Sequence, residues 1–143
     1  MSLTKEQEQR LRLWQGELSA LTYACEQARD DRDLDRHRVL SLLGTGSPLQ
    51  ALLKTAELPW QRELLAGLVD HLADVARQDR AVWMRRRLGA VCTYLGRTVS
   101  MAVQFHLGEA ERRRYESRSL GAGEPRGRQG SPLALDQRTT VGT

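Results

Sequence analysis

The sequence is short of residues on which several common classes of protein depend. Its two cysteines, Cys25 and Cys92, lack the C-x-x-C spacing of a zinc or redox site, so we expect buried thiols in place of a metal or disulfide framework. Lysine occurs only twice, and arginine therefore carries almost all of the net charge of +4. That charge is modest for a nucleic-acid-binding protein, and a GC-rich coding sequence would give the same bias toward arginine.

Catalytic motifs are also missing. The sequence has no phosphate-binding G-x-x-x-x-G-K-[ST] loop and no G-x-G-x-x-G, G-x-S-x-G or H-E-x-x-H pattern. The three histidines fall in different predicted helices: His37, His71 and His106. Asp33 and His37 have helical spacing, but the arginines around them are typical of a solvated ion-pair face. We therefore expect no enzyme activity, cofactor, metal or small-molecule substrate.

No stretch of the chain is apolar enough for a predicted membrane span. Residues 88–107 come nearest, because Arg97 is their only formal charge. A spanning helix needs about 20 predominantly apolar residues, and an arginine near its middle is costly. No apolar signal-peptide core precedes the charged residues that begin at Lys5. We expect a cytoplasmic protein.

Apolar residues recur with the period of a helix in most of the chain. The densest run lies in residues 79–107, where large side chains step by three and four: Leu88, Val91, Leu95, Val99 and Val103. This run predicts the central helix of an all-α, four- to five-helix, mainly antiparallel bundle. Gly89 and Gly96 each lower helix propensity by about 1 kcal/mol relative to alanine, and Ser100 lowers it as well. We expect a neighbouring helix packed closely against these small side chains, with a functional hinge as the alternative.

The first helix is predicted over residues 4–30. Thr4 is a suitable N-cap, and Gln7 could complete a capping box. The apolar residues alternate steps of three and four, as in a short coiled-coil seam: Leu11, Trp14, Leu18, Leu21, Cys25 and Ala28. Such a seam forms either one helix of a bundle or a contact between two protomers.

A charged break over residues 30–38 separates this helix from a short second one. Either Asp31 or Asp33 is expected to cap the second helix, and Gly44 is expected to end it.

Proline sets the boundaries of the next two helices. Ser47 and Pro48 form an N-cap and first-turn pair for a third helix, which Pro59 stops. Pro59 also begins a fourth helix that runs to about residue 78. There the pattern fits either a break capped by Asp79 or one long helix, and we favour the break.

The last part of the chain has a different composition. Residues 119–143 are rich in glycine, proline and arginine and have few large apolar side chains, so they cannot bury enough surface to offset the entropy of ordering. We predict a helical domain over residues 1–118 and a disordered tail over 119–143.

The leading functional hypothesis is a protein–protein interaction module. A compact helical domain without catalytic groups, with a seam-like first helix, is typical of adaptors, antagonists and accessory subunits. We expect a bacterial protein that acts as a homo-oligomer or bound to a protein partner. The candidate interface residues lie on the seam of the first helix: Leu11, Trp14, Leu18 and Leu21.

The alternative hypothesis is an accessory DNA-binding protein of a plasmid or phage, serving transfer, partition or transcription. Residues 47–67 loosely resemble a helix-turn-helix, with Arg62 near the start of the second helix. Other arginines gather near the two ends of the central helix and could contact phosphates: Arg85, Arg86, Arg87, Arg112, Arg113, Arg114 and Arg118.

Overall fold

The computed structural model describes residues 3–122, with side chains described from residue 3 to residue 118. Regular structure in that range is entirely helical: α1 (Lys5–Arg29), α2 (Arg36–Leu43), α3 (Pro48–Thr55), α4 (Pro59–Arg77), α5 (Ala81–Tyr94), a π-helical segment (Leu95–Val99) and α6 (Ser100–Ala122). Because α5, the π segment and α6 follow one another without a break, they form one long helix. The predicted all-α bundle is confirmed.

The chain divides into two compact units, and the bundle lies in the unit Thr4–Leu107; Gly108 onward belongs to the other. The predicted tail comprises residues 119–143. The backbone of its first four residues, 119–122, continues α6, and the residues from 123 on lie outside the described part of the chain. Among the helices that the structure describes, none is both long and apolar enough to cross a bilayer.

The beginning of α1 confirms the predicted capping box. The Thr4 hydroxyl accepts a hydrogen bond from the Gln7 backbone N–H at 3.0 Å, and the Gln7 side-chain oxygen accepts one from the Thr4 N–H at 2.9 Å. Two N–H groups that have no partner within the helix are thereby satisfied.

The seam of α1 forms the centre of the bundle. Helix α1 packs against α3 and α5, and α4 also packs against α5. All six seam residues are buried, and Cys25, confirmed as a buried thiol, is among them. The alternating apolar residues of α1 therefore belong to the core of the single chain and do not form a contact between two protomers.

The start of α2 differs from the prediction. Its N-cap is Asp35, whose carboxylate accepts a hydrogen bond from the Arg38 N–H at 2.9 Å. Asp31 accepts from the Asp33 N–H at 2.9 Å and holds the preceding turn, so neither of the predicted residues caps the helix. In an aspartate-rich loop several side chains compete for backbone donors, and spacing alone does not choose among them.

The predicted break between α4 and α5 is confirmed. Helix α4 ends at Arg77, but the residue that caps α5 is Arg80, without a side-chain hydrogen bond, and not Asp79. The Gln78 carbonyl at the break accepts a hydrogen bond from the Arg36 guanidinium at 3.0 Å. A contact with α2 thus satisfies part of the exposed end of α4.

The π segment keeps the apolar face of the long helix pointing inward. After Val91 the buried residues of the long helix follow steps of four: Leu95, Val99, Val103 and Leu107. Four residues advance an α-helix by slightly more than one turn, so such steps drift by about 40° each around the axis. The wider π turn takes up the extra residue and limits this drift.

The close helix contact lies at a different glycine from the predicted ones. No atom lies within 4 Å of a Cβ added at Gly89 or Gly96, so the prediction of close packing there was wrong. A Cβ on Gly67 of α4 would instead lie 2.6 Å from the Tyr94 hydroxyl, which donates a hydrogen bond to the Leu64 carbonyl at 2.9 Å. Gly67 allows α4 and α5 to approach at this point.

Candidate interaction surface

An open groove of about 790 Å³ lies between α1 and the corner where α3 meets α4, and we call it the corner groove. Its lining includes Leu13, which is 74% exposed, and the small side chains of Thr55 and Ala56. Charged groups also line it: Arg10, Glu17, Lys54, Glu57 and Arg62. The groove thus combines an exposed apolar side chain with charges of both signs.

Buried polar contacts hold the walls of the corner groove in place. The Gln61 side chain, 2% exposed, accepts hydrogen bonds from the backbone N–H groups of Glu57 at 3.2 Å and Leu58 at 2.9 Å. It therefore fixes the turn between α3 and α4. The Trp14 indole donates a hydrogen bond to the Leu52 carbonyl at 3.0 Å and ties α1 to α3.

A bidentate ion pair joins α1 to the α3–α4 turn. Arg10 Nε lies 2.7 Å from Glu57 Oε1, and Arg10 Nη2 lies 3.0 Å from Glu57 Oε2. Hydrogen bonding to Arg10 lowers the pKa of Glu57 below its usual value, and the same bond raises the pKa of Arg10. Both groups are charged at neutral pH and balance each other, so Glu17, Lys54 and Arg62 supply the other charges of the groove.

An aromatic row runs from the floor of the groove to the surface. Trp14 meets Trp60 edge-on with ring centroids 6.3 Å apart, Trp60 stacks on His106 at 4.2 Å, and Phe105 lies edge-on to His106 at 5.3 Å. Phe105 is 61% exposed, and Met101, one turn before it, is 57% exposed. Large apolar side chains are therefore accessible near the groove.

A further exposed apolar feature lies on α1, on the side away from the seam, and it shares Leu13 and Gly16 with the corner groove. We call it the outer face of α1; all of its members are exposed: Gln9, Leu13, Gly16, Ala20, Tyr23 and Gln27. Leu13 and Tyr23 are 74% and 64% exposed. Sequence reasoning missed this face because the stronger seam dominated the pattern, although its own steps of three and four were visible.

The predicted interface residues lie in the core of the bundle and not on its surface. Leu11, Trp14, Leu18 and Leu21 are at most 2% exposed, and they contact the chain's own core. Only Trp14 also borders the corner groove. A partner therefore cannot reach Leu11, Leu18 or Leu21 while the bundle is folded.

The three predicted arginines of α5 make contacts within the bundle. Arg85 donates hydrogen bonds to the carbonyls of Arg29 at 2.7 Å and Asp31 at 2.9 Å, at the end of α1. The Arg86 guanidinium lies 5.0 Å above the Trp83 ring. Arg87 donates to the Asp74 carboxylate at 2.6 Å. All three have a structural role.

The arginines of α6 pair with acidic neighbours on their own helix. Arg112 lies 2.6 Å from Glu109 and 2.8 Å from Glu116, and Arg113 lies 3.8 Å from Glu109. Arg114 and Arg118 follow on the same helix. These pairs at three- and four-residue spacing reduce the net positive charge of the segment.

The region predicted to resemble a helix-turn-helix is a corner of the bundle. Trp60, at the start of α4, is half-buried in the aromatic row, and Gln61 is buried in the turn. Among residues 60–63, which would face the bases in a helix-turn-helix, only Arg62 and Glu63 are exposed, and they carry opposite charges.

The comparisons with known proteins add no functional assignment. No protein-family model, curated protein or solved structure matches the chain. Within the described part of the chain, no three His, Cys, Asp or Glu side chains are grouped as a metal site would need.

Proposed function

We propose that this protein is a small cytoplasmic, bacterial protein–protein interaction module, an adaptor, antagonist or accessory subunit that acts as an oligomer or bound to a partner. The observation that carries the proposal is the corner groove, where Leu13 stands 74% exposed beside charged groups on a rigid framework. A concave site that combines exposed apolar area with a few charged groups is typical of a binding surface.

The chemistry of the groove suits a peptide segment or helix of a partner. Leu13 and Ala56 offer an apolar floor to one or two apolar side chains of such a segment. Lys54 and Arg62 can pair with acidic groups beside them, since charges at the rim mainly set orientation and association rate.

The aromatic row extends this surface. Tryptophan, phenylalanine and methionine are enriched at interfaces because they bury much area for few rotatable bonds. Phe105 and Met101 are accessible; His106 contacts Phe105 edge-on, and Trp60 stacks on His106. A partner bound in the groove could reach this row past Trp60.

Photo-crosslinking in the native host tests the proposal. A benzophenone amino acid replaces Thr55, an exposed residue of the groove, and a matched control replaces Leu40, which is 48% exposed on α2. We expect a protein adduct from position 55 that K54E/R62E abolishes, and none from position 40. Absence of any adduct at position 55, with another protein or with the chain itself, would overturn the proposal.

A further inference from the structure

We infer that the outer face of α1 joins two copies of this chain in an antiparallel, two-fold symmetric pair. The inference rests on the proposed function, because it names a second copy of the chain as the partner that covers Leu13, a residue that the outer face shares with the corner groove. It concerns a face that the bundle leaves uncovered, since all six of its residues are exposed.

The outer face reads the same from either end. Its residues follow steps of four, three, four, three and four, and their types are polar, large, small, small, large and polar: Gln9, Leu13, Gly16, Ala20, Tyr23 and Gln27. In a two-fold interface residue i of one copy meets residue j of the other, and j meets i, so a face that reads the same from either end presents matching side chains to a second copy. Antiparallel pairing about the middle of this face sets Leu13 against Tyr23 of the second copy and Gly16 against Ala20 of the second copy.

The sizes of the side chains match this geometry. No atom of the chain lies within 4 Å of a Cβ added at Gly16, so the centre of the face is open to a second helix. Packed helices lie about 8–10 Å apart, at distances that depend on the side chains at the contact. Small residues at the centre allow close approach, and Leu13 and Tyr23 then cover the two ends.

Charges along one flank of this face are complementary in the antiparallel pair, where this flank meets the same flank of the second copy. Residues seven apart lie on the same side of a helix, and here they are Lys5, Arg12, Ser19 and Glu26. Antiparallel pairing sets Arg12 beside Glu26 of the second copy and brings Ser19 near its own counterpart. The two-fold pair contains this contact between opposite charges twice, which favours a second copy of the chain as the partner.

Measurement of mass in solution tests the pairing. We expect sedimentation equilibrium to give twice the 16.2 kDa of one chain for the wild type, and one chain for L13D and Y23D. Both residues are exposed, so circular dichroism should show the variants folded. V82D replaces an apolar residue that is 55% exposed on α5 and should remain dimeric. A wild type of single-chain mass, or a dimer that both variants leave intact, would overturn the inference.

Disulfide crosslinking tests the direction. In the antiparallel pair Gln9 lies beside Gln27 of the second copy, so oxidation of Q9C/Q27C should give a covalent dimer. Q9C and Q27C alone should not crosslink, because each position lies about 27 Å along the axis from its own counterpart. The wild type controls for the native thiols: Cys25 is buried and Cys92 is half-buried, and burial raises the pKa of both, that of Cys25 to about 12. Crosslinking of either single variant would contradict the antiparallel arrangement.

The two experiments separate the inference from the proposed function. A single-chain mass together with an adduct of a different protein at position 55 would reject the pairing and leave the interaction module supported. A single-chain mass with no adduct would reject both.

Discussion

Replacement of Trp14 tests whether the α1 seam is core or interface. Trp14 is 1% exposed, donates a hydrogen bond to the Leu52 carbonyl at 3.0 Å and contacts Trp60 edge-on. W14F retains most of the ring but leaves the Leu52 carbonyl without its donor, which costs about 1–3 kcal/mol. W14A also opens a cavity, and such truncations cost about 3–5 kcal/mol. The larger loss is a considerable part of the stability of a typical domain, about 5–15 kcal/mol.

Urea denaturation followed by circular dichroism measures these losses in the free energy of unfolding. V82A is the matched control, because Val82 is 55% exposed and its truncation should change stability by no more than about 0.5 kcal/mol. The reasoning is refuted if W14F unfolds within about 0.5 kcal/mol of the wild type. If W14A keeps the full stability of the wild type but changes its mass in solution, the seam is an interface between protomers and not core.

Three further predictions concern helix packing, pH and nucleic acid. G67A should destabilise the wild type, because its Cβ would lie 2.6 Å from the Tyr94 hydroxyl and 3.3 Å from Tyr94 Cζ. In a Y94F background only the contact with the ring carbon remains, so the same substitution should cost less. Denaturation of the wild type, G67A, Y94F and G67A/Y94F measures this coupling, and an equal cost in both backgrounds would contradict it. Hydrogen bonding to Arg10 lowers the pKa of Glu57 in the folded state. The stability that this pair supplies is therefore present above the unfolded-state pKa of Glu57 and is lost as the pH falls through its folded-state pKa. Thermal denaturation of the wild type and R10Q at several pH values should show a weaker loss of stability with acid in R10Q. If the alternative hypothesis of DNA binding holds, the R112Q/R113Q/R114Q variant should bind duplex DNA with a weaker salt dependence than the wild type, as measured by fluorescence anisotropy. An unchanged slope would exclude this segment as a contact to phosphates.

The sequence by itself determined the helices and most of their ends. Apolar steps of three and four identify which face of α1 and of the long helix is buried, because only one face of a helix can pack against neighbours at a time. Thr4, Ser47 and Pro59 set helix starts through local hydrogen bonding and fixed backbone angles, which do not depend on distant residues. These predictions hold because their causes lie within a few residues.

The tertiary structure decided what each face contacts. Periodicity shows that the seam of α1 is buried, but not whether the chain itself or a second protomer covers it, and the fold assigns it to the core. Likewise, Arg85 reaches the end of α1 across 54 and 56 residues of sequence, a contact that spacing cannot reveal. The corner groove exists only because α1 meets the α3–α4 turn, and it arises from contacts between residues far apart in the chain. Surfaces of this kind depend on the packing of whole helices, which local sequence does not specify.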